Sequence, residues 1–131
     1  MTVALLLVTH DGLGQALLDV AEANLGPLGL PTGVLPVGQD ADTDQLVARG
    51  AEMLDQLDQG DGVLILTDLY GATPSNLAHE FCRPCCQVVH GVNLAMLLRA
   101  HTYRDLALDE LANKVVEGGH QAVFLGDQPG P

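Results

Sequence analysis

The sequence predicts an open parallel α/β sheet of strand order 2-1-3-4 with helices on both faces, and three observations carry that prediction. Apolar runs of strand length alternate with segments of helical spacing along the whole chain. The clearest strand, Gly62–Thr67 (GVLILT), is almost wholly apolar, as a strand covered on both faces should be. A second strand contains Pro36, whose missing N–H confines it to an edge. With right-handed crossovers and strand two at that edge, strands one and three become neighbours.

Each element has its own signal. Val3–Val8 is an apolar run, and Leu13, Ala16, Leu17, Val20, Ala21 and Leu25 follow with helical spacing. Gly26-Pro27 stops that helix. Gly33–Val37 is the edge strand. Asp42 with Gln45 is a capping pair for a second helix, with a core stripe of Leu46, Val47, Gly50, Ala51, Leu54 and Leu57. After Gly62–Thr67, Thr73 as N-cap and Pro74 at the first helical position open a third helix through Phe81. Gln87–His90 is a fourth strand, and Asn93 caps a helix through Ala100. A last helix spans Asp109–Glu117, and Ala122–Leu125 (AVFL) reads as one more strand. Residues 1–126 make one domain, and Asp127–Pro131 reads as a frayed tail.

Composition narrows the function classes. Two Phe, two Tyr and no Trp leave a core of Leu, Val and Ala. A net charge of −12, with Lys114 the only lysine, opposes a phosphate backbone and argues against nucleic-acid binding. The acidity serves solubility, or steering toward a basic protein partner. The first residues lack the basic start and long apolar run of a signal peptide, and no stretch has the apolar length of a membrane span. A cytoplasmic protein is expected. Three cysteines, Cys82, Cys85 and Cys86, suit a reducing compartment.

Ligands of open α/β sheets bind beyond the carboxyl ends of the strands, where the connections diverge. Here that crevice receives Thr9-His10-Asp11-Gly12 after strand one and Asp68-Leu69-Tyr70-Gly71-Ala72-Thr73 after strand three. A strand-to-helix turn needs no imidazole, and glycine there costs backbone entropy, so something approaches this backbone. His10 and Asp68 end adjacent strands and could meet. A carboxylate on one ring nitrogen fixes the tautomer and frees the other as a nucleophile. Helix N-termini near Gly14 and Pro74 offer an anion site. This is the hardware for phosphoryl transfer to nitrogen; the competing reading is a turn histidine that bonds a neighbouring backbone group.

Other patterns fall short. GLGQAL has Leu17 where a dinucleotide fingerprint needs its third glycine, and neither a Walker A pattern nor a G-x-S-x-G elbow occurs. The cluster Cys82-x-x-Cys85-Cys86 lacks a second spaced pair for zinc, so packing or loop chemistry and no metal are expected. His79, His101 and His120 read as solvated. A receiver-like signalling domain phosphorylated on Asp68 is the alternative. It would use Asp11, but the second acid after strand one and a lysine ending the last strand are missing.

The blocks LLLVTHDGLGQALL, GVLILTDLYGATPSN and HGVNLAMLLRA together resemble the mannose-type enzyme IIA domain of the bacterial sugar phosphotransferase system, over about residues 3–125. The resemblance implies a relay without a cofactor. His10 would take a phosphoryl group from the phosphocarrier protein HPr and pass it to a IIB component of a sugar permease, with Asp68 as its partner. A free-standing component would instead serve as a regulatory sensor. The resemblance places phosphoryl binding at Thr9, Gly71, Ala72 and Thr73. It also implies a homodimer in which the C-terminal strand, about Ala122–Leu125, crosses to the partner's sheet. Ala72 stands where a second glycine is usual, and Ala95 where a proline is common.

Overall fold

The computed structural model describes residues 2–127. Nine elements follow in order: β1 (Ala4–His10), α1 (Leu13–Leu25), β2 (Thr32–Val37), α2 (Thr43–Leu57), β3 (Val63–Thr67), α3 (Thr73–Phe81), β4 (Cys86–His90), α4 (Leu94–Thr102) and α5 (Leu108–Gln121). The four strands are parallel in the order β2-β1-β3-β4, as the sequence predicts. Pro36 is exposed on the edge strand β2, where its missing donor costs no ladder bond.

Both faces of the sheet are covered because β1 from Ala4 to Val8 and β3 from Val63 to Leu66 are apolar at every position that alternation turns either way. Val3, Leu5, Leu7, Leu64 and Leu66 pack against residues of α1, α4 and α5. Ala4, Leu6, Val8, Val63 and Ile65 pack against residues of α2 and α3. Truncating one of these fully buried leucines to alanine costs about 2–5 kcal/mol. With β1 central, its two neighbours lie on opposite sides, and the carboxyl ends of β1 and β3 open side by side.

Three expectations shift. The last helix does not stop at Glu117 but continues through Gly118 and Gly119 to Gln121. A Cβ on Gly118 would lie 2.2 Å from Arg99 Cγ, and one on Gly119 2.6 Å from Met96 Cγ, so these glycines permit close α4–α5 packing rather than ending a helix. Ala122–Leu125 is not a strand within the single chain: Ala122 closes α5, and Val123, Phe124 and Leu125 are exposed. The N-cap of α3 is Ala72, not Thr73, since the Ala72 carbonyl already accepts the first helical bond from Asn76 N. The frayed tail expected over 127–131 lies, apart from Asp127, outside the described residues.

Candidate functional site

His10 ends β1 and turns its ring toward β3. Its Nδ1 lies 2.6 Å from Asp68 Oδ2, and its backbone N–H donates to the same oxygen at 3.0 Å. The carboxylate therefore grips both ring and backbone of one residue. The Asp68 side chain is 8% exposed and that of His10 53%. Burial alone would push Asp68 up, but the His10 ring and backbone N–H outweigh it and hold the carboxyl below its ordinary value of 3.8. Asp68 is thus an anion at neutral pH. With Nδ1 bonded to Asp68, the second ring nitrogen is left free of that bond on a half-exposed ring.

The turn after His10 explains its glycines. Gly12 is the N-cap of α1 in a left-handed conformation (φ 89°) that a side chain would resist. A Cβ on Gly14 would sit 2.8 Å from Thr9 Oγ1. That hydroxyl accepts from Gly14 N at 2.8 Å and donates to the His10 carbonyl at 2.9 Å. Thr9 is wholly buried, so its side chain holds the turn together from beneath rather than lining the crevice.

A cavity of about 380 Å³ opens beside the ring, lined by His10, Val37, Gly38, Gln39, Ala41, Thr43 and Thr73. Thr73 is thus the one residue of the predicted phosphoryl-binding loop that shares the cavity with His10. Gly71 N donates to Ser75 Oγ (3.3 Å) and Ala72 N to the Leu69 carbonyl (3.3 Å), so both N–H groups brace the loop itself. Ala72 adopts an extended conformation (φ −79°), and the positive φ belongs to Gly71 (85°). Alanine is therefore accommodated there without strain. Ala95 likewise lies inside a regular α4 capped by Asn93. Neither α1 nor α3 receives a side-chain cap from its N-cap residue.

Gln39, Ala41 and Thr43 were not foreseen as site residues. The signal was available, since β2 is the other neighbour of β1 and its carboxyl-end loop must border the same crevice. Two histidines expected to be solvated are engaged instead. His79 Nε2 meets His90 Nε2 at 3.1 Å, and His101 Nδ1 meets the Leu28 carbonyl at 2.7 Å. His120 is exposed. Cys82, Cys85 and Cys86 are free thiols, and among the described residues no group of three or more His, Cys, Asp or Glu is placed to hold a metal ion. Burial pushes the Cys86 thiol up to about 11. A larger groove of about 550 Å³ involves the other end of the sheet, around Thr2, Leu28 and Pro31. Among the described residues Glu22 is the one ionisable side chain in its lining, so it lacks paired chemistry.

The family described as "PTS system fructose IIA component" matches residues 4–116, which include β1 through α4 and most of α5. The chain belongs to that family. Among curated relatives, this IIA-family chain is 34% identical over 128 residues to the "PTS system mannose-specific EIIAB component" of Escherichia coli (strain K12), a match covering 94% of this chain. It spans 39% of that relative's length. Among solved structures, the mannose/sorbose specific IIA subunit of the phosphotransferase system from Enterococcus faecalis superposes with a TM-score of 0.86 at 29% identity, covering 98% of each chain. A phosphotransferase system component EIIA from Streptococcus agalactiae shares the fold, with a TM-score of 0.79 at 22% identity over 95% of this chain and 96% of that one. No helix among the described residues is long and apolar enough to cross a membrane.

Proposed function

We propose that this IIA-family chain is a phosphoryl relay, taking a phosphoryl group on His10 from phospho-HPr and passing it to the IIB component of a sugar permease, or holding it as a regulatory signal. The reading rests on one observation above all: His10 Nδ1 is tied to a buried carboxylate at 2.6 Å while the ring stays half exposed. In the forward step the Nε2 lone pair attacks phosphorus, the N–P bond to the HPr imidazole breaks, and its electron pair returns to that imidazole. Asp68 stabilises the charge that develops on the His10 ring. The N-termini of α1 and α3, which take no cap from their own N-cap residues, supply a positive field for the phosphoryl oxygens, with the Thr73 hydroxyl as a donor in the same cavity. This chemistry calls for no divalent metal.

The receiver-like alternative is disfavoured by the same geometry. Asp68 Oδ2 already accepts two hydrogen bonds, and Oδ1 is buried, so neither oxygen is presented to an incoming phosphorus. The experiment is labelling by phospho-HPr in excess chelator, followed by acid and alkali treatment. A phosphoramidate persists in alkali and is lost in acid, whereas an acyl phosphate is destroyed by alkali. His10→Ala should abolish the label. Labelling that persists in His10→Ala and vanishes in Asp68→Asn overturns the relay.

The working form we propose is a cytoplasmic homodimer. Val123, Phe124 and Leu125 are apolar yet 76%, 52% and 66% exposed, and among the described residues the outer edge of β4 is unpaired. A partner's tail added along that edge would bury both liabilities. Light scattering should return twice the chain mass, and deletion from Ala122 onward should return a monomer. A stable monomer of the intact chain contradicts the exchange.

A further inference from the structure

The register of β3 and β4 sets Thr67 beside His90, one residue before Asp68. Thr67 Oγ1 and His90 Nδ1 lie 2.6 Å apart, and His90 Nε2 lies 3.1 Å from Nε2 of His79 on α3. Two ring nitrogens at that separation share a single proton, one ring donating and the other accepting through its lone pair. On the same imidazole, Tyr70 sets its ring edge-on, with centroids 5.0 Å apart and planes at 74°. Tyr70 is otherwise 74% exposed, so His90 is its anchor. It stands mid-way along the loop from Asp68 to Thr73, and both ends of that loop reach His10, one by hydrogen bond and one through the shared cavity.

The charged and titratable surroundings of the pair are sparse. His79 faces His90 from α3, Tyr70 faces it from the β3–α3 loop, and His120 of α5 lines the same groove beside β4. Glu80, next on α3, is exposed. Burial, then the charge on His79, lowers His90 from its ordinary value of 6.5. A first added proton leaves the pair intact, because an imidazolium donates well to a neutral imidazole. A second places two N–H groups and two positive charges face to face at 3.1 Å.

We propose that His79 and His90 are positioning residues: while they share a proton they hold Tyr70 and thereby the loop that carries Asp68 and Thr73, and charging both rings releases that loop. The functional half of this proposal rests on the relay reading above; the conformational half does not.

The test has two arms. In the first, histidine and Tyr70 side-chain signals and loop amides are followed by NMR on the full chain from about pH 8 to about pH 4.5, the range in which imidazoles titrate. The expected result is two separate proton-binding steps for the pair, with Tyr70 and the Leu69–Ala72 amides changing at the lower one. His79→Gln keeps a hydrogen-bonding group and removes one charge, so the Tyr70 change at acid pH should disappear. His90→Asn removes the Tyr70 anchor, so Tyr70 should be mobile at every pH. Independent titration of the two rings, no response of Tyr70, or an acid response retained in His79→Gln overturns the proposal. In the second arm, the rate of labelling by phospho-HPr in wild type is divided by that in His79→Gln at each pH, so that any titration of His10, Asp68 or HPr cancels. Below the lower step this ratio should fall about tenfold per pH unit, as the competent fraction does. A flat ratio alongside a positive NMR arm overturns the positioning role. Absence of labelling in both proteins at every pH refutes the relay reading instead, and the NMR arm alone then decides the loop.

Discussion

Four helices begin at the carboxyl edge of the sheet, and they begin in two different ways. α2 is capped by Asp42, whose carboxylate accepts from Asp44 N and Gln45 N, and α4 by Asn93, which accepts from Met96 N. α1 and α3 start at Gly12 and Ala72, which offer no side-chain cap. The uncapped pair follows β1 and β3, the strands that end in His10 and just before Asp68; the capped pair follows the outer strands. Relative to a capping residue, Ala72 forgoes about 1 kcal/mol of helix stability and Gly12 about a few tenths. Thr9 Oγ1 takes Gly14 N from beneath, and the other first-turn N–H groups of the two helices have no cap from their N-cap residues and can face an anion. In the relay proposed above, the outer starts serve stability and the inner starts serve the phosphoryl group.

That contrast can be broken by mutation, and the largest effect expected is on the carboxylate at its centre. Asp68→Asn should fold yet label about a thousandfold more slowly, as expected when an imidazole loses tautomer control and charge stabilisation together. Single-turnover labelling by phospho-HPr measures it. The same carboxyl is held below 3.8, so its contribution to stability is complete above that value and fades as pH falls through the lowered one. Asp68→Asn should accordingly flatten the acid limb of the unfolding profile. His90 acts in the same direction at higher pH, because a lowered imidazole loses its contribution as pH falls below 6.5.

Ala72→Asp sharpens the comparison by giving α3 the kind of cap α2 has. Labelling should fall about a hundredfold, as when an oxyanion donor is removed, while thermal unfolding shows a gain of about 1 kcal/mol. Fast labelling in this variant would show that the open N-terminus is irrelevant. The reciprocal change, Asn93→Ala, should cost about 1 kcal/mol and leave the labelling rate unchanged. The smallest effect is a null one. A chelator should leave the melting temperature where it was, and one tightly bound zinc per chain would reopen Cys82, Cys85 and Cys86 as ligands.

The strand order was legible because Pro36 marks an edge and GVLILT a buried strand, and right-handed crossovers leave few other arrangements. The His10–Asp68 pairing was legible for the same reason, as both residues terminate adjacent parallel strands. What was not legible depends on contacts between elements remote in sequence. The last helix read as ending at Glu117, and only Arg99 and Met96 packing onto Gly118 and Gly119 reveals why it continues. Thr9 read as a crevice residue until Gly14 N was seen to need its hydroxyl. His79 read as solvated because its partner lies on β4, fixed by the packing of α3 rather than by any local pattern.

The most direct test of the account is the identity of the phosphorylated atom. With Nδ1 of His10 committed to Asp68 at 2.6 Å, the phosphoryl group has only the other ring nitrogen to occupy. Phosphorus and nitrogen NMR of the chain labelled by phospho-HPr should therefore show a single Nε2-phosphohistidine, absent in His10→Ala. An Nδ1-phosphohistidine, or an acyl phosphate on Asp68, would contradict it.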